Sequence, residues 1–419
     1  MKIKRAFCTL IAVASLLALV FGCSKPATDA VTDSISTVVI WHSSSDQIED
    51  ALNKIVAEYN ETHTNVIVTA INQPSSGFVD SIYSAVANGV GPDIIFNFAT
   101  MAADFIPDNK IVNLGKYIDL EWLKGAVPQA IFDESTSFPN GDLYCLPLHS
   151  SGPVLFINKD VYNELDLTVP STWDELVSAS KIVYDETGKP GFLADSLIDL
   201  MQTKLLQDGS GYIDTANRVT LINNEKAESS YQWLVDNVKS GYFTVDKVGE
   251  RGYEDFNAGL VAAYLGSCGH VEMMKDNSFA FEIVPIPQGG VKDWAPIWNR
   301  SLIVFTSTEE KERAACDFIK FFVAPENSAN WTIATGNISP YYDTASVTKY
   351  SDYLNNNRSL VAVNESFKVA GYLPAVIGSS TVREEIEKVA LQTISGQKSI
   401  GQALGDAEII CNAALQDTP

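Results

Sequence analysis

Positive charge is scarce in this chain. Against 52 Asp and Glu stand 29 Lys and Arg, a formal net charge of −23, and there are only four histidines. No basic run breaks the acidity, so nucleic acid and anionic lipid head groups would be repelled rather than bound. His42, His63, His149 and His270 show no metal-ligand spacing, and the six cysteines form no CxxC and no Cys/His pattern. Neither a Gly-x-Ser-x-Gly elbow nor a glycine-rich phosphate loop occurs. The chain is therefore expected to hold no metal and no cofactor and not to be an enzyme. One catalytic alternative is left open by residue type, a His42, His149 and Ser267 grouping at a common cleft. Past the first two dozen residues, no apolar run is long enough to cross a bilayer.

What is present begins at the N-terminus. Lys2, Lys4 and Arg5 precede an uncharged apolar run from Ala6 to Phe21, followed by Gly22, Cys23 and a polar stretch. A basic start, a short apolar core and a small residue before the cut make an export signal. Leu19 to Cys23, reading LVFGC, resembles a bacterial lipobox, which implies that residues 1–22 are a signal peptide and that Cys23 takes the lipid. Residues 23–36 then form a flexible leash rich in Ser, Thr, Asp and Ala. The protein is expected to be exported and lipid-anchored to a bacterial membrane, on its periplasmic or extracytoplasmic face. Phe21 is bulky for its position, which leaves simple secretion or a signal anchor as alternatives. Loss of the signal lowers the cations from 29 to 26 against 52 acids, a net charge near −26. Cys145, Cys268, Cys316 and Cys411 remain. Their wide spread leaves both disulfides and buried free thiols open, with Cys316 on the apolar stripe of a helix.

Close to four hundred residues after the signal imply two domains. From Thr37 onward, short β-rich runs alternate with helical patterns. Val38 to Trp41 is a strand candidate. The next helix places Ile48, Leu52, Ile55, Val56 and Tyr59 on one face, with Ser44, Ser45 or Asp46 as its cap. Strand Asn65 to Ile71, helix Phe78 to Ala87 and strand Asp93 to Phe98 continue the series. That order implies a parallel sheet with right-handed crossovers. Ligands of such sheets bind beyond the carboxyl ends of the strands, which places Trp41 to Ser44 and Asn97 to Thr100 at a site. A strand Gly141 to Leu148 is expected to break at His149 to Pro153 and resume over Val154 to Asn158, as at a crossing between domains.

Five stretches then carry a resemblance. Leu146 to Asp160 reads LPLHSSGPVLFINKD, and Val169 to Leu176 reads VPSTWDEL at a helix start, where Thr172 and Glu175 also make a capping box. Phe256 to Ser267 reads FNAGLVAAYLGS, and Val284 to Pro287 reads VPIP. Phe318 to Glu326 reads FIKFFVAPE, followed by Trp331, Thr335 and Gly336. In order and spacing these resemble the solute-binding proteins of ABC importers. The likeness is to extracellular solute-binding protein family 1, the group of the maltose-binding and glycerol-3-phosphate-binding (UgpB-type) proteins. The resemblance implies an α/β class with the two-lobe, type II periplasmic-binding-protein fold and a ligand cleft between the lobes. Lobe one would be 37–148 plus 301–340 and lobe two 153–297 plus 345–419, with hinges near 148–153, 298–301 and 340–345. It implies delivery of a small-molecule solute to ABC permease subunits driven by a cytoplasmic ATPase, by a monomer with no nucleic-acid partner.

Carried over residue by residue, the family's paired small polar residues fall on Ser150 and Ser151, and a serine falls on Ser267. Its glutamate falls on Ala99, its glycine pair on Trp298 and Asn299, and its tyrosine on Asn337. Its phosphate-pairing arginine falls near Ser379, with Arg383 close by. Loss of that arginine argues against phosphate, which leans on bidentate arginine or helix N-termini. The expected ligand-binding set is Trp41, His42, Ser43, Phe98, Ser150, Ser151, Ser267, Trp298, Asn299 and Asn337, with Asn97 and Trp294 as further contributors. Flat apolar faces and neutral donors suit a sugar or sugar alcohol. The alternative is a glycerol 3-phosphate or glycerophosphodiester receptor relying on Arg300 or Arg383. Trp173, Trp233 and Trp331 lie in helical patterns and read as core.

Overall fold

The computed structural model describes residues 35–44, 46–138, 140–245, 252–274 and 277–416. The signal peptide, Cys23 and most of the expected leash lie outside the described residues. The first strand, Ser36–His42, buries Val38, Ile40 and His42 on one face and pairs in parallel with Val66–Asn72 and Ile94–Asn97. Helices Asp46–Thr62 and Phe78–Ala87 make the crossovers, the first burying Leu52, Ile55, Val56 and Tyr59 at the spacing of one helical face. Two antiparallel strands, Trp298–Val304 and Leu146–Ser151, complete a five-stranded sheet. Phe318 and Phe322 of helix Glu309–Phe322 and Trp331 of helix Pro325–Thr335 fill the core beside it.

A second five-stranded sheet is ordered Phe281–Val284, Pro153–Asn158, Ala263–Ser267, Phe192–Ala194, Phe243–Val245. Every residue of Pro153–Asn158 is buried because both faces of this sheet are covered. One face packs on helices that include Trp173–Thr187, Leu197–Gln207, Ser379–Ile394 and Ile400–Gln416. Arg358–Ser366 and Gly252–Asn257 cover the other. The fold is the two-lobe α/β arrangement of type II.

The chain passes between the sheets at three adjacent places. Gly152 separates Ser151 from Pro153, and Ile297 leads into the strand starting at Trp298. Ile338 lies alongside Ser150, each donating its N–H to the other's carbonyl at 2.9 and 2.8 Å. Tyr341 adds a hydroxyl bond to the Pro147 carbonyl at 2.7 Å.

Several element boundaries differ from expectation. The stretch from Gly141 to Cys145 is not a strand, and His149, Ser150 and Ser151 lie inside one rather than interrupting it. These polar residues persist there because the fold satisfies them. Trp331 Nε1 donates to His149 Nδ1 at 2.9 Å, and the Ser150 hydroxyl donates to Asn299 Oδ1 at 2.5 Å. The third strand starts at Ile94 and ends at Asn97; the Asp93 side chain just before it accepts from the Val39 N–H at 2.7 Å and pairs with Lys311 at 2.8 Å. Cys145, Cys268, Cys316 and Cys411 are all buried free thiols.

Candidate functional site

A groove runs between the lobes past the carboxyl ends of strands Ile94–Asn97 and Phe192–Ala194, the edge where such sheets take ligands. Its larger cavity, about 350 Å³, is walled by Phe98, Glu134, Tyr212, Trp298, Asn299 and Arg383 among others. A second cavity of about 220 Å³ is lined by Asp195, Thr203, Gly266 and Ser267. Asp199 and Trp298 border both, so the two form one groove.

On the first lobe, a chain of hydrogen bonds fixes the floor. Ser150 and Asn299 face each other across the two crossing strands, both essentially buried. Asn299 accepts from Ser150 and donates its amide to the Glu134 carboxylate on helix Gln129–Ser135. Burial pushes Glu134 up to about 7, and the Asn299 hydrogen bond pulls in the opposite direction. Phe98 caps the helix Ala99–Phe105 and stays 38% exposed, with the Arg300 guanidinium stacked 4.5 Å from its ring centroid.

The facing lobe presents a second network. Arg383 Nη2 lies 2.8 Å from Asp199 Oδ1, and Nη1 donates to Gln202 Oε1 at 2.8 Å. Gln202 in turn donates to the Tyr212 hydroxyl at 2.7 Å, and burial pushes that phenol up. Helices Leu197–Gln207 and Ser379–Ile394 bring together residues about 180 positions apart. Three carboxylates and one arginine thus line the groove, together with aromatic faces and neutral polar groups.

Of the residues expected at the site, Phe98, Ser267, Trp298 and Asn299 line these cavities, and Ser150 supports Asn299 from beneath. Others do not line them. Trp41 points away from the Ile40 and His42 face and packs beside a cluster containing Ile82 and Ala102. His42 is buried, which lowers its pKa, and its Nδ1 accepts from the Ser44 N–H at 3.3 Å. Ser43 is exposed, Ser151 pairs with Trp298 through the backbone, and Asn337 donates to the Thr335 carbonyl. Asn97 is buried and turned back on the Phe98 N–H, and Trp294 is a buried residue of the second lobe. His149 is enclosed with Trp331, where burial and then Arg300 lower its pKa to about 3. It shares neither cavity with His42 or Ser267, so the three are not gathered at these cavities.

Glu134, Asp195, Asp199 and Tyr212 carry no signal in the sequence as local motifs. Asp195 alone had one available, because it directly follows the short apolar run Phe192–Ala194 at a strand end. Arg383, weighed only for phosphate, stands on the groove wall.

The family described as bacterial extracellular solute-binding protein matches residues 45–329. The chain belongs to that family. The sn-glycerol-3-phosphate-binding periplasmic protein UgpB of Pectobacterium atrosepticum is 22% identical over 428 residues, covering 94% of each chain. The arabinooligosaccharide-binding protein of Halalkalibacterium halodurans is 26% identical over 321 residues, 71% of this chain and 66% of that one. The crystal structure of cyclic alpha-maltosyl-1,6-maltose binding protein from Arthrobacter globiformis superposes with a TM-score of 0.79 at 24% identity, over 91% of this chain and 99% of that one. This solute-binding protein is a substrate-binding protein of the ABC-importer class, and its family consists of binding proteins rather than enzymes. Among its described residues no helix is long and apolar enough to cross a membrane.

Glu134 gives the solute-binding protein a pH signature. The folded state keeps this proton to about 7 against 4.5 for the free side chain, so the fold binds more protons inside that window and stability falls as pH rises through it. Denaturant unfolding of Glu134→Gln should show a flatter profile, gaining on wild type above the window. A wild-type minus mutant difference that stays constant from pH 4.5 upward contradicts the assignment.

Proposed function

We propose that this solute-binding protein captures a neutral carbohydrate, a sugar or sugar alcohol, in the groove and delivers it to ABC permease subunits powered by a cytoplasmic ATPase. The observation that carries the reading is the state of the arginine. Among the described residues Arg383 is the one cation lining the two cavities, and Asp199 and Gln202 already hold it. Asp199 pairs with it, and Asp195 and Glu134 line the groove elsewhere, oxygens that suit the hydroxyls of a sugar better than a phosphate dianion. Trp298 and Phe98 offer flat faces to a sugar ring. About six neutral hydrogen bonds at roughly 0.5 to 1.5 kcal/mol each, with one stacked ring, reach the roughly −8 kcal/mol of a micromolar ligand.

The second reading, glycerol 3-phosphate or a glycerophosphodiester, is favoured by one fact. Arg383 does stand on the groove wall, and a ligand phosphate would have to take it from Asp199.

Thermal unfolding of residues 24–419 against maltose, maltotriose, arabinotriose, sorbitol, glycerol 3-phosphate and glycerophosphocholine separates the two. A micromolar ligand at millimolar concentration should add about 4 kcal/mol of stability. The shift is expected with a neutral sugar, to be insensitive to salt, and to need at least tenfold more sugar in Trp298→Ala. Shifts confined to the phosphate compounds, lost at high salt and in Arg383→Ala, overturn the carbohydrate reading.

The anchor belongs to the same proposal: a lipid on Cys23 tethers a monomeric receptor beside its permease, outside the cytoplasm. Radiolabelled palmitate should enter the wild-type chain in cells and not Cys23→Ser. Equal labelling of both contradicts it.

A further inference from the structure

The hydrogen bonds that hold Asp195 at the smaller cavity, through Tyr264 and His270, have no part in the reading above. Asp195 follows strand Phe192–Ala194, with its N–H bonded to the Leu265 carbonyl at 2.9 Å, and lines that cavity. Tyr264, fully buried, donates its hydroxyl to Asp195 Oδ1 at 2.7 Å, and the Tyr264 hydroxyl oxygen lies 2.8 Å from His270 Nδ1. A phenol has one proton, and this one is given to the carboxylate. The Tyr264 oxygen can then only accept from His270, so Nδ1 of that imidazole must carry the hydrogen. Burial lowers the His270 pKa, keeping the ring neutral against the pull of Asp195.

Two further features hold the chain in place. The Tyr264 and His270 rings stack at 6.0 Å with an interplanar angle of 19°. Gly266, also at the cavity, leaves the space that the Tyr264 ring crosses to reach Asp195. A Cβ at that position would meet the ring carbon Cζ and the hydroxyl at 2.5 Å. Among the described residues no other side-chain or backbone donor is bonded to the Asp195 carboxylate, and Asp195 lines the cavity.

We propose that Tyr264 is a positioning residue for solute binding, holding Asp195 so that its second oxygen accepts a hydroxyl of the solute in the smaller cavity, with His270 setting the direction of the Tyr264 proton. The proposal rests on the carbohydrate reading of the groove for its ligand. It extends that reading by assigning one carboxylate to one end of the solute and by making Gly266 a requirement of the site. His270 contributes no contact to the solute and acts only through Tyr264.

Two measurements test it. In the ligand-free chain, ¹⁵N NMR of the histidine ring is expected to show His270 protonated at Nδ1, with that preference lost in Tyr264→Phe. Protonation at Nε2 in the wild type, or an unchanged tautomer in Tyr264→Phe, overturns the proton order. Thermal unfolding confirms that this variant folds. Calorimetric titration with maltotriose and with glycerol 3-phosphate then reads the solute contact. Tyr264→Phe and Gly266→Ala should each weaken maltotriose binding about tenfold, and Tyr264→Phe should add nothing in an Asp195→Asn background. Equal losses in both backgrounds mean that Tyr264 only packs, and the positioning role falls. A wild type that binds glycerol 3-phosphate but not maltotriose, or neither, fails the carbohydrate reading and the solute contact with it. The His270 tautomer still decides the hydrogen-bonded chain.

Discussion

The groove depends on the chain crossing between its two sheets at places that lie side by side. Ser150 marks the point. Its backbone exchanges both hydrogen bonds with Ile338, its hydroxyl is given to Asn299, and none of it is exposed. A buried hydroxyl left without a partner costs about 1 to 3 kcal/mol, so the serine and the asparagine hold each other in register. Because Asn299 then donates to Glu134, the same chain of bonds that ties the crossings together also orients a carboxylate of the groove. Domain closures pivot on a few element-terminal residues, and we propose Gly152, Ile297 and the segment near Ile338 for that part. Closure needs a ligand that binds the closed form better than the open one, and the groove supplies contacts from both lobes.

Electrostatics in the groove repeat the bias of the whole chain. The sequence carries 52 acids against 29 bases, and among the described residues the groove is lined by Glu134, Asp195 and Asp199 against one arginine, which Asp199 already pairs. Each of these side chains has a different partner. Glu134 accepts from an amide while burial favours its protonated form, Asp199 meets a guanidinium, and Asp195 meets a phenol backed by an imidazole. On the proposed carbohydrate reading these oxygens would meet hydroxyl groups of the solute, with Trp298 bordering both cavities as the shared apolar wall.

Much of the fold was legible because it is written in local pattern. The helix Phe78–Ala87 and the apolar face of Asp46–Thr62 follow from periodicity, and the capping box at Thr172 and Glu175 forms as its spacing implies. The break expected over His149 to Pro153 narrows to Gly152, because polar residues need not form a loop when partners satisfy them: Trp331 bonds His149 and Asn299 bonds Ser150 inside the strand. The site was less legible. Phe98, Ser267, Trp298 and Asn299 follow from strand ends and family spacing, but strand alternation turns Trp41 away from the face it was assigned. Asp199 and Arg383 meet only through the packing of helices far apart in sequence, and no local window contains that information.

Native mass spectrometry of the chain purified from its own bacterium, with endogenous solute retained, tests the central claim most directly. The account predicts an adduct whose released mass is that of a neutral sugar or sugar alcohol, absent from Trp298→Ala. A phosphorus-containing adduct retained by Trp298→Ala and lost in Arg383→Ala would contradict it.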